Sequence, residues 1–285
     1  MITCNLMGGL GNQLFQIFAT IAYGIKSHNQ FKFLNFEQLG GGSTTVRYTF
    51  WNTFFANLKI FLVKELPQMY IIKEKGFQYT PLPVYEMINR DIMIYGYFQS
   101  YKYFQEQYNV ICRMIGIENM KQKLLLKLNI SHENLTNTIS LHFRIGDYKK
   151  LPDFHPIITY EYYEKSLNYI KENNNNTNNS NKYNILYFCE DEDIETVDIT
   201  IHKLKQIYPT YIFERATNTL ADWEQLLLMS CCHHNIIANS SFSWWAAYFN
   251  SNCNKIICYP SIWFGASVKN DVKDLCPPEW TKIYC

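Results

Sequence analysis

Three short apolar runs in this 285-residue chain each end in a loop of small and polar residues, and their placement constrains the fold more than any other feature. Residues 2–7 lead into Gly8-Gly9-Leu10-Gly11-Asn12-Gln13-Leu14-Phe15-Gln16. Thr138-Ile139-Ser140-Leu141 leads into His142-Phe143-Arg144-Ile145-Gly146-Asp147-Tyr148. Asn235-Ile236-Ile237-Ala238 leads into Asn239-Ser240-Ser241-Phe242-Ser243-Trp244-Trp245-Ala246-Ala247. The first and third loops open directly into helical patterns. After the first, Leu14, Phe18, Ile21, Ala22 and Ile25 fall on one face at helical spacing.

The rest of the chain alternates in the same way. Residues 93–99 read as a strand, 121–128 as a helix and 129–137 as a polar connector suited to a domain boundary. A strand then ends at Arg144 and a helix follows over 160–171. Strands at 185–189, 211–213, 235–238 and 255–259 interleave with helices at 192–205, 221–231 and 241–249. Such alternation predicts an α/β fold on parallel sheets. Gly40-Gly41-Gly42-Ser43 reads as a flexible turn. Residues 173–181 are almost all asparagine and read as a disordered surface loop, since they cannot build a core.

The loops carry the chemistry. An arginine at the carboxyl end of a strand suits a phosphate at a sheet edge, because its planar fork donates two parallel hydrogen bonds and stays charged. Backbone amides at the start of the first helix suit an anion. That loop lacks the Gly-Lys-Ser/Thr of a Walker loop, and Leu14 stands where a dinucleotide fingerprint needs a third glycine. It serves equally well as a tight turn. In the third segment one hydroxyl suffices to cap a helix, and the three serines exceed that need.

Together, and in this order, the three segments resemble the α-1,2-fucosyltransferases of glycosyltransferase family 11, a similarity that spans residues 2–263. Phe154-His155-Pro156 before Tyr162-Tyr163, and residues 223–230, match more loosely. The resemblance implies a GT-B type α/β fold, two Rossmann-like domains facing across a donor cleft. Residues 1–135 would form the acceptor side and 136–285 the GDP-sugar-binding domain. It implies an inverting transferase that moves L-fucose from GDP-fucose to the 2-hydroxyl of a terminal galactoside, without a metal. The donor would meet Gly9, Gly11, Asn12, Arg144, Glu224, Asn239, Ser240, Ser241, Phe242 and Ser243, with Asn12 and Ser241 on opposite domains. Arg144, His142 and Asp147 would carry the chemistry. Three positions depart from the family pattern: Ile145 replaces a second arginine, Gln225 an acidic residue, and Phe188-Cys189-Glu190-Asp191 stands for Phe-Ser-Asp-Asp.

The residues leave alternatives open for each role. His142 either bonds to the donor or is a buried structural histidine. Asp147 either orients Arg144 or acts as base, and a carboxylate three residues from an arginine favours the local ion pair. Asp153, His155 and Glu161 are further candidate bases. Glu190-Asp191-Glu192-Asp193 could hold a divalent ion in a metal-dependent GT-A enzyme, but it also suits the first turn of the next helix, the favoured reading. The departures at Ile145 and Gln225 also admit an inactive carbohydrate-binding protein.

Composition narrows the classes. A net charge of +1 gives no field for nucleic acid. Nine cysteines without a Cys-x-x-Cys pair support neither a zinc knuckle nor a redox motif, and read as reduced thiols of a cytoplasmic protein. In Cys231-Cys232-His233-His234 adjacent side chains point apart, which favours chance over a metal site. No apolar run approaches the length of a membrane span, so the expectation is a soluble protein, with peripheral membrane contact left open.

Overall fold

A computed structural model describes residues 1–40, 46–84, 90–173 and 182–285. The expected turn from Gly40 to Ser43 and the asparagine-rich 173–181 segment therefore lie almost wholly outside the described residues. The chain divides into two compact units, Met1–Met120 with Asn270–Pro277, and Lys121–Lys269 with Pro278–Cys285.

In the first unit, β1 (Ile2–Cys4) leads through the glycine loop into α1 (Leu10–Lys26). The helix begins at Leu10, so Gly11 and Asn12 lie in its first turn. Apolar side chains surround α1, and accordingly it is buried on nearly every face. The chain returns beside β1, with a parallel bridge from Ile2 to Phe31, before β2 (Phe33–Leu34). An antiparallel pair follows, β3 (Gln38–Leu39) with β4 (Arg47–Tyr48). β5 (Leu62–Val63) runs parallel to β2. β6 (Tyr70–Lys73) and β7 (Ile92–Tyr95) lie on the other side of β1 in the parallel order β1-β7-β6. β7 stops short of the expected 93–99 because Phe98 adopts a left-handed conformation (φ 53°) and turns the chain. α2 (Tyr108–Ile115) and an aromatic core that joins Phe15, Phe18 and Phe104 complete the unit.

α3 (Ile117–Lys127) contains the boundary between the units. The expected division at 135/136 thus comes earlier. The reason is local: Lys121 Nζ donates to the Phe249 carbonyl (2.6 Å) and Lys127 Nζ to Glu224 Oε1 (2.6 Å), so both belong with the second unit. The expected connector also holds a short helix, α4 (His132–Leu135), capped by the Ser131 hydroxyl.

The second unit is a six-stranded, all-parallel sheet. Its elements are β8 (Thr138–His142), α5 (Tyr160–Asn173), β9 (Asn184–Phe188), α6 (Ile194–Ile207), β10 (Ile212–Arg215), α7 (Asp222–Cys231), β11 (His234–Ile236), α8 (Ser241–Tyr248), β12 (Ile257–Pro260) and β13 (Thr281–Ile283). Strand order is β10-β9-β8-β11-β12-β13. β8, β9 and β10 are laid down in one direction, and the chain then crosses back to place β11 on the other side of β8. β12 was not expected to include Pro260, nor was β13 expected at all. Pro260 fits because the Ser261 N–H makes the next bond, to the Ile283 carbonyl (2.9 Å). Ile139, Leu141, Ile185, Ile236 and Tyr162 pack one core against the sheet. Among the described residues no helix is long and apolar enough to cross a membrane.

Candidate functional site

In an open parallel sheet, ligands bind outside the carboxyl ends of the strands where strand order reverses. In the second unit that point lies between β8 and β11. The loop after β8 carries Arg144, and the loop after β11 carries Asn239 to Ser243, residues separated widely in sequence. The strand register, Leu141 opposite Ile236, brings the two loops side by side. The Tyr148 hydroxyl donates to the Asn239 carbonyl (3.0 Å), and the His142 and Phe242 ring centroids lie 5.8 Å apart.

Arg144 is held from three directions. Its guanidinium pairs with Asp147 and with Glu190, and lies 5.2 Å from the centroid of the Tyr148 ring. The ion pair expected at the Arg144–Asp147 spacing is therefore present. Burial works against the charge of Arg144, but Asp147 and Glu190 overcome it and raise its pKa. His155 stacks on Tyr148 at 4.6 Å, which makes a column of His155, Tyr148 and Arg144. Burial lowers the His155 pKa, so the ring is neutral at pH 7. Asp153 is exposed. Glu161 is also exposed, and the Thr159 hydroxyl keeps its carboxyl below the usual range, which makes it a weak base.

His142 ends β8 as a buried ring whose Nδ1 has no hydrogen-bond partner among the described residues. Burial, reinforced by the Arg144 charge, pushes its pKa down to about 3. A neutral imidazole is therefore the form that faces this region at pH 7. Asn239 is 1% exposed; its amide donates to the carbonyls of Pro156 (2.9 Å) and Trp263 (3.3 Å), while its Oδ1 has no partner among the described residues. Ser240 caps α8 by accepting from the Phe242 N–H (3.3 Å). Ser243 is buried and its hydroxyl points back to the Ser240 carbonyl (3.4 Å), whereas Ser241 and Phe242 are partly exposed. One of the three serines is thus the cap and one is internal.

Glu224 does not stand free for a ligand. Its carboxylate accepts from Lys127 Nζ (2.6 Å) and from the Ala221 N–H (3.0 Å), which ties down the start of α7. Burial pushes its pKa up, but these partners hold it below the usual range. The acidic run after β9 is likewise engaged. Carboxylate oxygens of Glu190, Glu192 and Asp193 lie within 4.8 Å of one another, the spacing of a possible cation site. Glu190, however, pairs with Arg144, while Asp193 accepts from Lys149 Nζ (2.7 Å) and the Gly146 N–H (2.7 Å). Asp191 pairs with Arg215. Cations and a turn amide therefore already use this run, which also forms the helical turn Asp191–Asp193 ahead of α6. His234 Nδ1 accepts from the Ile256 N–H (2.9 Å), in keeping with a structural reading of the Cys-Cys-His-His run.

The first unit holds Gly9, Gly11 and Asn12. Gly9 caps α1 with extended backbone, and a Cβ built there would meet nothing within 4 Å, so the space before it is open. Gly11 is buried. Asn12 Oδ1 accepts from Gln99 Nε2 (2.8 Å). The glutamines of the motif are ties: Gln13 donates to the carbonyls of Gly8 and Tyr48 (both 2.9 Å), and Gln16 accepts from the Met7 N–H (2.9 Å) and donates to the Gly96 carbonyl (3.1 Å).

Two members of the site went unassigned in the sequence. Nothing in the spacing of Glu190 and Tyr148 says that both touch Arg144: the parallel pairing of β8 with β9 brings Glu190 there, and the helical turn Gly146–Lys150 folds Tyr148 back onto it.

The chain is 27% identical to an alpha-1,2-colitosyltransferase of Escherichia coli, over 99% of each chain. It is 26% identical to the O-antigen biosynthesis glycosyltransferase WbnK of Escherichia coli, over 95% of this chain and 97% of that protein. A GDP complex of a mutant FUT1 from Arabidopsis thaliana superposes with a TM-score of 0.48 and 9% identity, covering 90% of this chain and 69% of that one. The model of the family described as glycosyl transferase family 11 matches residues 57–284, a span that contains Arg144 and the whole Asn239 to Ser243 loop. The chain is a glycosyltransferase and belongs to glycosyl transferase family 11.

Proposed function

We propose that this enzyme transfers L-fucose from GDP-fucose to the 2-hydroxyl of a terminal galactoside, with inversion, to form an α-1,2 linkage. The observation that carries the reading is the placing of the Arg144 loop beside the loop that opens α8, at the switch point of the six-stranded sheet. As the anomeric bond breaks, charge grows on the β-phosphate, and preorganised donors aimed at that charge lower the barrier. Arg144 supplies a guanidinium; Ser240, Ser241 and the first amides of α8 supply neutral donors. Asn239, Phe242 and Ser243 shape the same loop. Neutral His142 offers a hydrogen bond and does not act as an acid at pH 7. Glu224 holds α7 in place.

Two units, each on its own parallel sheet, are the parts a GT-B enzyme requires. The α-1,2 linkage is supported by the relative named for it. The same relative favours a second reading, in which the sugar transferred is colitose. On either reading the reaction runs without a metal, and the enzyme works in the cytoplasm.

Purified enzyme given lactose and, in turn, GDP-fucose, GDP-colitose, a UDP-sugar and a CMP-sugar tests the donor, with the product linkage read by NMR. An α-1,2-fucosylated product, with turnover undiminished in excess EDTA, is expected. Faster transfer from GDP-colitose selects the second reading. Turnover with only a UDP- or CMP-sugar overturns both, and sugar binding without transfer or hydrolysis leaves a lectin.

A further inference from the structure

β12 and β13 are neighbours in the second unit's sheet, yet part of the chain that joins them, Asn270–Pro277, belongs to the first unit. Asp274 anchors this strap. Its buried carboxylate accepts from the Tyr79 N–H (3.1 Å) and from the Lys102 ammonium, and its carbonyl accepts from the Ser100 hydroxyl (2.6 Å). A carboxylate out of water is costly unless a cation and hydrogen bonds answer it, and both do so here.

These bonds fall at one end of the loop that follows β7. Its other end is held by Glu74, which accepts from the Tyr97 N–H (2.7 Å) and the Phe98 N–H (3.0 Å) over Gly96, where a Cβ would come within 2.4 Å of the Glu74 Cβ. Between the anchors the path is unfavourable by itself, since Phe98 is left-handed (φ 53°). Such a conformation persists where its surroundings impose it. The Phe98 ring is buried edge-on against Tyr103 (5.2 Å), and Ser100 caps the turn Tyr101–Tyr103 by accepting from the Lys102 N–H (3.3 Å).

Gln99 sits at the middle of this clamped loop, buried, and its Nε2 donates to Asn12 Oδ1 (2.8 Å). On the other side of that carboxamide, Asn12 Nδ2 lies over Gly8, where a Cβ would come within 2.4 Å of it. We propose that Asp274 is a positioning residue for the glycine loop: by tying Ser100 and Lys102 to the strap it fixes Gln99, and Gln99 sets the Asn12 carboxamide. The proposal rests on the transferase reading for what Asn12 does in the reaction, and on these bonds alone for how Asn12 is held.

NMR of the intact enzyme labelled with [15N]glutamine tests the linkage, with the Gln99 side-chain amide identified by its absence from Gln99→Ala. That resonance should move toward the position of a free carboxamide in Asn12→Ala, in Asp274→Asn and in Lys102→Met. Asp271→Asn, which removes an exposed carboxylate of the same strap paired with Lys273, should leave it in place. In kinetics with GDP-fucose and lactose, Asp274→Asn should lower kcat about tenfold and move the GDP Kd by less than about twofold. In a Gln99→Ala background the same substitution should lower kcat by less than about twofold further, since residues that act in one line are not additive. A lower melting temperature with normal kcat per folded molecule, or losses that simply multiply, overturns the positioning role. If no nucleotide sugar is turned over, the transferase reading fails and the NMR measurement still decides the linkage. A moved Gln99 resonance in Asp274→Asn, or in Lys102→Met where the first variant does not fold, supports it; an unmoved one overturns it.

Discussion

Glu190 pairs with the Arg144 guanidinium directly over Gly146, where a Cβ would come within 2.6 Å of Glu190 Oε2 and make the carboxylate shift. Gly146 thus sets the geometry of the site through the space it leaves. Gly146→Ala should push Glu190 off Arg144 and release the guanidinium from one of its two carboxylates. We expect turnover to fall by about tenfold or more, given how steeply rate depends on placement, with a smaller loss in Glu190→Gln. Steady-state kinetics beside a melting curve checks this; wild-type kcat in Gly146→Ala would show that Glu190 does not position the arginine.

Arg144 itself carries the largest expected effect. Losing a donor to developing charge typically costs about a hundred- to a thousandfold in rate, so Arg144→Ala should lose nearly all transfer. Arg144→Lys should recover little, because an ammonium cannot hold Asp147, Glu190 and a phosphate oxygen with one planar fork. GDP titration and single-turnover rates measure both; a lysine variant with most of the wild-type rate would remove Arg144 from the donor site.

Ile145 stands where the family has a second arginine, and its side chain is 6% exposed within the core of the second unit. Ile145→Ala should therefore act on stability, with a loss of about 2–5 kcal/mol, while activity per folded molecule stays near wild type. Urea unfolding separates the two. A large loss of kcat without loss of stability would mean that this position contacts the reaction.

Stability should depend on pH through two buried histidines. Burial holds the pKa of His142 at about 3 and that of His234 at about 3, against about 6.5 in an unfolded chain. The folded protein then binds fewer protons than the unfolded one between those values. The stability that comes from keeping the rings neutral is complete above pH 6.5 and is lost as pH falls toward 3. Each ring contributes a slope of up to about 1.4 kcal/mol per pH unit. Urea unfolding from pH 4.5 to 7.5 should show the decline, and His142→Gln should flatten it by one histidine's share. A stability flat over that interval would mean that these rings are solvated in the native state.

Much of this molecule is legible in its sequence because the determinants are local. Helical spacing from Leu14 to Ile25 marks α1, β-branched runs mark the strands that end near Arg144 and Asn239, and the Arg144–Asp147 spacing marks an ion pair. Motif order marks the family. Strand order is not local: β11 lies beside β8 because a parallel crossover places it there, and that alone brings Asn239 to Ser243 next to Arg144. The tertiary structure alone likewise decided that Glu224 is taken by Lys127, that Glu190 serves Arg144 over Gly146, and that Asp274 meets Ser100 and Lys102. Each of these depends on groups distant in sequence meeting at a few ångströms, where hydrogen bonds and charges act, and a one-dimensional pattern does not encode that distance.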